Sequence, residues 1–139
     1  MRFLDTNIFL RYLAPSDRKK AQACFTLFQR IRSGDEVVTT SEVIIAEVAY
    51  VLRSRAHYGL KPPEINARLQ PLLTLRGLKL PNKETCLKAL DFWEANPRID
   101  FEDALTVAHM ARLGITELFS YDTDFDRLAD VTRVEPGIP

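Results

Sequence analysis

Histidine, cysteine and glycine are all scarce in this chain, and each shortage closes off a chemistry. The two histidines, His57 and His109, sit at no metal-ligand spacing, so a histidine zinc site and a histidine acid–base pair for RNA cleavage are both unexpected. The two cysteines, Cys24 and Cys86, stand far apart in apolar helical patterns; they read as core thiols, neither a disulfide nor a zinc pair. Only five glycines are present, and none builds a Gly-rich loop ending in lysine or a G-x-S-x-G elbow, which excludes P-loop and hydrolase-elbow chemistry. Neither sign of charge is in excess: Lys+Arg and Asp+Glu both count 19. That argues against a passive electrostatic nucleic-acid binder, though not against an enzyme with a local basic rim. No apolar run approaches the roughly 18 residues of a membrane span, and the N-terminus carries no charged-then-apolar leader, so the expected location is the cytoplasm.

What is present is an ordinary globular composition over 139 residues, long enough for one domain, 1–139, with a sizeable core. Residues 1–5 read as a strand running straight into a helix that Pro15 stops. Ser16 caps a second helix whose Ala21, Cys24, Phe25, Phe28 and Ile31 recur at helical spacing up to Gly34. A strand over 36–40 leads through the cap Thr40-Ser41 into a third helix to about His57. Lys61-Pro62-Pro63-Glu64 opens a fourth, ended by Gly77. A strand at 78–80, a helix capped by Asn82 and stopped by Pro97, and a helix capped by Asp100 and ended by Gly114 follow. The chain closes with a strand at 117–121, a helical turn near 125–128, an edge strand at 131–134 and a loose tail. Strands alternating with helices, often two per crossover, predict a three-layer α/β/α sandwich around a central, mostly parallel sheet of four to five strands.

Four carboxylates then stand out. Asp5 closes the apolar opening Met1-Arg2-Phe3-Leu4, and Asp122 follows Leu118-Phe119-Ser120-Tyr121; both fall at carboxyl ends of strands, where open parallel sheets bind ligands. Glu47 is the one charge between Val43 and Leu52, in a helix apolar nearly all round, and is expected to reach water only through a cleft. At 100° per residue Asp103 shares a face with Val107, Met110 and Ala111, whereas Glu102, Thr106 and His109 face the wetter side. Each acid has a plainer reading. Asp5 suits a helix N-cap, Asp122 a turn, Asp103 a partner for the helix dipole, and Glu47 a buried ion pair with Arg11 or Arg53. Together at strand ends they suggest one cation site. Asp100, Asp124 and Asp126 lie close enough in sequence to join it, and Thr6, Asn7 and Ser120 are placed to orient carboxylates.

Oxygen ligands without cysteine or histidine favour Mg²⁺ or Mn²⁺, and one or two such ions suit phosphodiester hydrolysis by water. A polyanion would then need basic contacts beside the acids. Arg11 and Arg53 are candidates for phosphate contacts, with Arg55 and the Arg18-Lys19-Lys20 run behind them; that run reads equally as a solvated helix face.

The blocks Leu4-Asp5-Thr6-Asn7, Ile45-Ala46-Glu47-Val48, Asp100-Phe101-Glu102-Asp103-Ala104-Leu105 and Ser120-Tyr121-Asp122-Thr123-Asp124-Phe125 resemble the PIN domain and, more narrowly, the VapC-type toxins of type II toxin–antitoxin pairs. The resemblance covers nearly the whole chain, in order. It implies a Mg²⁺- or Mn²⁺-dependent ribonuclease leaving a 5′-phosphate and a 3′-hydroxyl. It also implies a homodimer inhibited by a small antitoxin whose C-terminal segment fills the cleft. Carried over by motif, the acidic set is Asp5, Glu47, Asp103 and Asp122, supported by Thr6, Asn7, Ser120 and Asp124.

Other readings make different demands. A housekeeping PIN nuclease shares the chemistry and differs in biology. A receiver-like signalling module wants adjacent acids after the first strand and a late lysine, and a haloacid-dehalogenase-like phosphatase wants a second acid where Asn7 stands. A dimer is further suggested by apolar Tyr50, Leu69, Leu72 and Leu73 on the third and fourth helices.

Overall fold

The computed structural model describes residues 1–14 and 16–137. The chain runs β1 (Arg2–Phe3), α1 (Thr6–Leu13), α2 (Arg18–Ser33), β2 (Val38–Thr39), α3 (Glu42–Arg53), α4 (Pro62–Leu73), β3 (Leu78–Lys79), α5 (Lys83–Ala95), α6 (Phe101–Leu113), β4 (Glu117–Phe119), a 3-10 turn (Thr123–Arg127) and β5 (Thr132–Val134). This is the expected α/β order, with every strand pair parallel. β2 lies between β1 and β3, with Val38 opposite both Arg2 and Leu78. β4 pairs with β5, Leu118 opposite Arg133. The five strands are thus hydrogen-bonded as a group of three and a group of two. β1 and β4 are two and three residues long, and Phe3 and Phe119 point to solvent. Neither strand offers a long buried face to carry the ladder across.

Several boundaries differ from the sequence expectation. The cap of α2 is Asp17, not Ser16: its side chain accepts from the Lys20 amide at 3.0 Å, and its charge also favours the helix N-terminus. α3 stops at Arg53, four residues early, where the Ser54 carbonyl collects the amides of His57, Tyr58 and Gly59 in a turn. α4 ends at Leu73, before Gly77. Gly77 does other work. Its amide donates to the Ile31 carbonyl at 2.9 Å, and a side chain there would run into the backbone of Ile31 and Glu36. Asn82 and Asp100 hold the N-cap positions of α5 and α6 without side-chain capping bonds. Ser41 does cap α3, accepting from the Ile44 amide. The stop at Pro15 and the last two residues of the tail lie outside the described residues.

The core gathers Leu4, Val38 and Leu78 from the strands with Phe9, Ile31, Ile45, Leu52, Ile65, Leu69 and Leu90 from the helices. Each such side chain contributes about 1.5–3 kcal/mol when fully buried. Leu69, Leu72 and Leu73, expected at a dimer surface, are part of this core; Tyr50 alone of that set is exposed, at 66%. The periodicity of α4 marked an apolar face, and the fold covers that face with α5. Both cysteines are buried and free, as expected, and burial pushes the Cys86 thiol up to about 12. Trp93 packs edge-on against Phe101 at 5.4 Å and donates to the Ile99 carbonyl, which seats the start of α6 on α5. Among the described residues, no helix is long and apolar enough to cross a membrane.

Candidate active site

Asp5 is the residue before α1, with extended backbone and no side-chain capping bond. The plain N-cap reading therefore does not describe it, and its carboxylate is exposed, with no ion pair among the described residues. The next residue is buried: Thr6, 5% exposed, points its hydroxyl across to α3 and donates to Glu47 Oε2 at 2.8 Å. This bond spans 41 residues of sequence and ties the start of α1 to the middle of α3. Glu47 itself is exposed, on a strip with Val43 and Tyr50. That corrects the expectation of a carboxylate confined to a cleft. The apolar residues of α3 are not all turned inward, and Val43 is 75% exposed.

The second group lies around α6. Helical phase separates the neighbouring acids as expected: Asp103 is partly buried beside buried Val107 and Met110, and Glu102 is exposed. Ala111, expected on the inward face, is exposed, and His109, expected on the wetter side, is partly buried against Glu42 of α3. Burial is the largest cause pushing the Asp103 carboxyl up to about 6; the charges of Asp122, Asp100, Glu102 and Asp124 push the same way. Each added negative charge makes ionising Asp103 costlier. Asp122 arrives from the loop after β4, held by its own neighbours. Its amide donates to Ser120 Oγ at 3.0 Å, and its Oδ1 accepts from the Asp124 amide at 2.9 Å. Asp122 therefore is the turn residue and cap its local sequence suggested, and it stands within electrostatic reach of Asp103 as well.

The peripheral acids sort by partner. Asp126 is taken by Arg133, which reaches its two oxygens at 2.8 and 3.2 Å, as well as Glu135 and the Ser120 carbonyl. Asp100 meets Arg53 at 3.3 Å. Asp124 forms no ion pair with a described residue, nor do Asp5, Glu47, Asp103 and Asp122. Arg133 had no motif to announce it; only the pairing of β5 with β4 brings it to the Ser120 loop.

Of the basic candidates, Arg53 is held inward. Its guanidinium donates to the Ile99 and Pro97 carbonyls at 2.7 and 3.0 Å and lies 5.5 Å from the centre of a Trp93 ring. Arg11 borders a cavity of about 670 Å³ with Tyr12, Ser16, Asp17, Arg18, Gln22 and Phe25. Asn7 is exposed in the first turn of α1, and Arg55 and the Arg18-Lys19-Lys20 run are exposed too.

The donors suit a hard divalent cation. They are all oxygen, and the crowding that raises Asp103 is what a cation would reverse. Among the described residues, no three His, Cys, Asp or Glu side chains approach closely enough, as they stand, to hold an ion.

Two solved structures align over almost the whole chain. VapC20 of Mycobacterium tuberculosis, a toxin that cleaves the sarcin–ricin loop, is 20% identical over 98% of this chain and 100% of its own, with a TM-score of 0.40. VapBC2 of Rickettsia felis, bound to a DNA fragment from its promoter, is 15% identical over 96% of this chain and 97% of its own, with a TM-score of 0.36. No curated protein matches. The PIN domain model matches residues 2–131, a span that takes in all four acids; the chain belongs to the PIN-domain family.

Proposed function

We propose that this PIN-domain chain is a Mg²⁺- or Mn²⁺-dependent endoribonuclease, acting in the cytoplasm as the toxin of a type II toxin–antitoxin pair. The observation that carries the reading is the charge crowding at Asp103, raised to about 6 among Asp100, Glu102, Asp122 and Asp124. Of these acids only Asp100 meets a basic partner among the described residues, Arg53; a surface built only for stability would pair the others with lysine or arginine too.

In this proposal Asp5, Glu47, Asp103 and Asp122 would hold the ion. Thr6 keeps the Glu47 carboxylate in one orientation through its 2.8 Å bond. Ser120 and the Asp124 amide hold the Asp122 loop, and Asp122 Oδ2 has no hydrogen-bond partner among the described residues. Asn7 and the Asp124 carboxylate support the acids from either side. When bound, the ion supplies Lewis acidity toward an attacking water and the departing 3′ oxygen, so that cleavage leaves a 5′-phosphate and a 3′-hydroxyl. Arg11 contacts RNA phosphate; Arg53, engaged with three residues of the Pro97–Asp100 loop, is given the work of bracing that loop.

The biological half rests on the four motif blocks, which resemble VapC-type toxins. An antitoxin would cover the acids, and the same resemblance implies a homodimer. Light scattering should give twice the 15.9 kDa chain mass; a single-chain mass at micromolar concentration would remove the dimer. The decisive test is cleavage of structured RNA by purified protein with Mn²⁺. Cleavage should require the ion and be lost in Asp103→Asn and Asp122→Asn; unchanged cleavage in both variants would sink the reading. Growth arrest on expression, relieved by the product of the neighbouring gene, separates a toxin from a housekeeping nuclease.

A further inference from the structure

The helices that carry Glu47 and Asp103 are fastened to each other at both ends. At one end, Arg53, the last residue of α3, reaches the Ile99 carbonyl and Asp100 at the start of α6. At the other, His109 Nε2 in the second half of α6 lies 2.8 Å from Oε1 of Glu42, the first residue of α3. The helices therefore run antiparallel.

The second tie is internally determined. Arg112, one turn beyond His109, brings Nε and Nη2 to 3.3 and 3.1 Å from His109 Nδ1. A guanidinium only donates, so Nδ1 must accept, and the ring hydrogen is on Nε2, donated to Glu42. The imidazole thus links the acid of one helix to the arginine of the other. The His109 and Glu42 side chains are only 25% and 27% exposed.

Helical rise converts these ties into levels along the pair. From the Glu42–His109 tie, Glu47 lies five residues along α3 and Asp103 six residues along α6, about 7.5 and about 9 Å. At that tie the two acids stand about one residue's rise apart, at nearly one level.

We propose that His109 is a positioning residue: its bond to Glu42, with Arg112 behind it, sets the register of α6 on α3 and so the level of Asp103 relative to Glu47. The proposal rests on these acids sharing an ion. It is tested by titrating the purified full-length protein with Mn²⁺ in a calorimeter, beside RNA cleavage. His109→Gln keeps an amide donor near the Nε2 position, whereas His109→Asn and His109→Ala do not reach Glu42. Mn²⁺ affinity should fall about tenfold or more in His109→Asn and His109→Ala, within the range for residues that orient metal ligands. His109→Gln should stay within about twofold of wild type, by the same reasoning. Should the alanine variant not fold, the Asn–Gln pair, matched in polarity, carries the comparison. Wild-type affinity in His109→Asn, or an equal loss in His109→Gln, overturns the proposal, and so does a wild-type protein that binds no Mn²⁺. A wild-type protein that binds Mn²⁺ without cutting RNA strikes the nuclease reading alone.

Discussion

Asp103 and Glu47 carry the same charge at nearly the same level of two adjacent helices, yet their surroundings are opposite. Asp103 is partly buried, crowded by four acids and raised to about 6. Glu47 is exposed, with one neutral partner, the Thr6 hydroxyl. At Asp103 the fold accepts a cost: burial and like charge penalise the ionised form, and among the described residues no cation offsets it. At Glu47 the fold spends little and fixes only direction. Sites built for a ligand combine these two kinds of residue, one strained in charge and one oriented.

The largest effect that would break this contrast is at Asp103. Asp103→Asn should abolish Mn²⁺-dependent cleavage while raising the melting temperature of the metal-free protein. The folded-state value of about 6 stands above the ordinary 3.8, so the native chain holds this proton more tightly than the unfolded chain. Stability from this group therefore falls as pH rises between those values, and the full penalty is present above about 6. Thermal unfolding should show the gain from Asp103→Asn above pH 6 and its disappearance below 3.8. A variant less stable than wild type at pH 7.5 would mean that Asp103 is not strained.

The next effect tests the frame that holds the acids. Arg53→Met keeps the stem and loses the donors to Pro97, Ile99 and Asp100. Chemical denaturation should show a loss of about 1.5–3 kcal/mol, as for a charged donor whose main acceptor, the Ile99 carbonyl, is part-buried. A loss near zero would return Arg53 to the pool of RNA contacts. Thr6→Val, nearly isosteric and buried, should cost about 1 kcal/mol and weaken Mn²⁺ binding, with Thr6→Ser restoring both. Glu47→Gln should leave stability within about 0.5 kcal/mol, as at an exposed site, and still weaken Mn²⁺ binding. A strongly destabilised Glu47→Gln would erase the difference between the two acids.

Much of this was readable in order along the chain. Apolar periodicity together with caps and Pro or Gly stops located the six helices of the described residues, and the alternation of strands and helices implied parallel pairing. The phase of α6 separated Asp103 from Glu102, because one helix geometry governs all sequences. Ends were read less well. Ser16 and Asp17 are both good caps, and only the carboxylate's bond to the Lys20 amide decided between them. Gly77 looked like a helix stop, yet its place depends on a close approach to residues more than forty positions away.

For the acids, four local motif blocks nominated Asp5, Glu47, Asp103 and Asp122, because residue type and position relative to a strand or helix end are local properties. Exposure, partners and charge environment are not. Val43, Glu47 and Tyr50 lie outward because the other faces of α3 are already occupied. Arg53 is turned inward because Ile99 and Trp93 come to meet it. Asp103 titrates high because folding desolvates it and brings Asp122 in from the far end of the chain. The sequence alone determined which side chains could serve a cation. The tertiary structure alone decided which are strained, which are steered and which are already engaged, because those depend on neighbours distant along the chain.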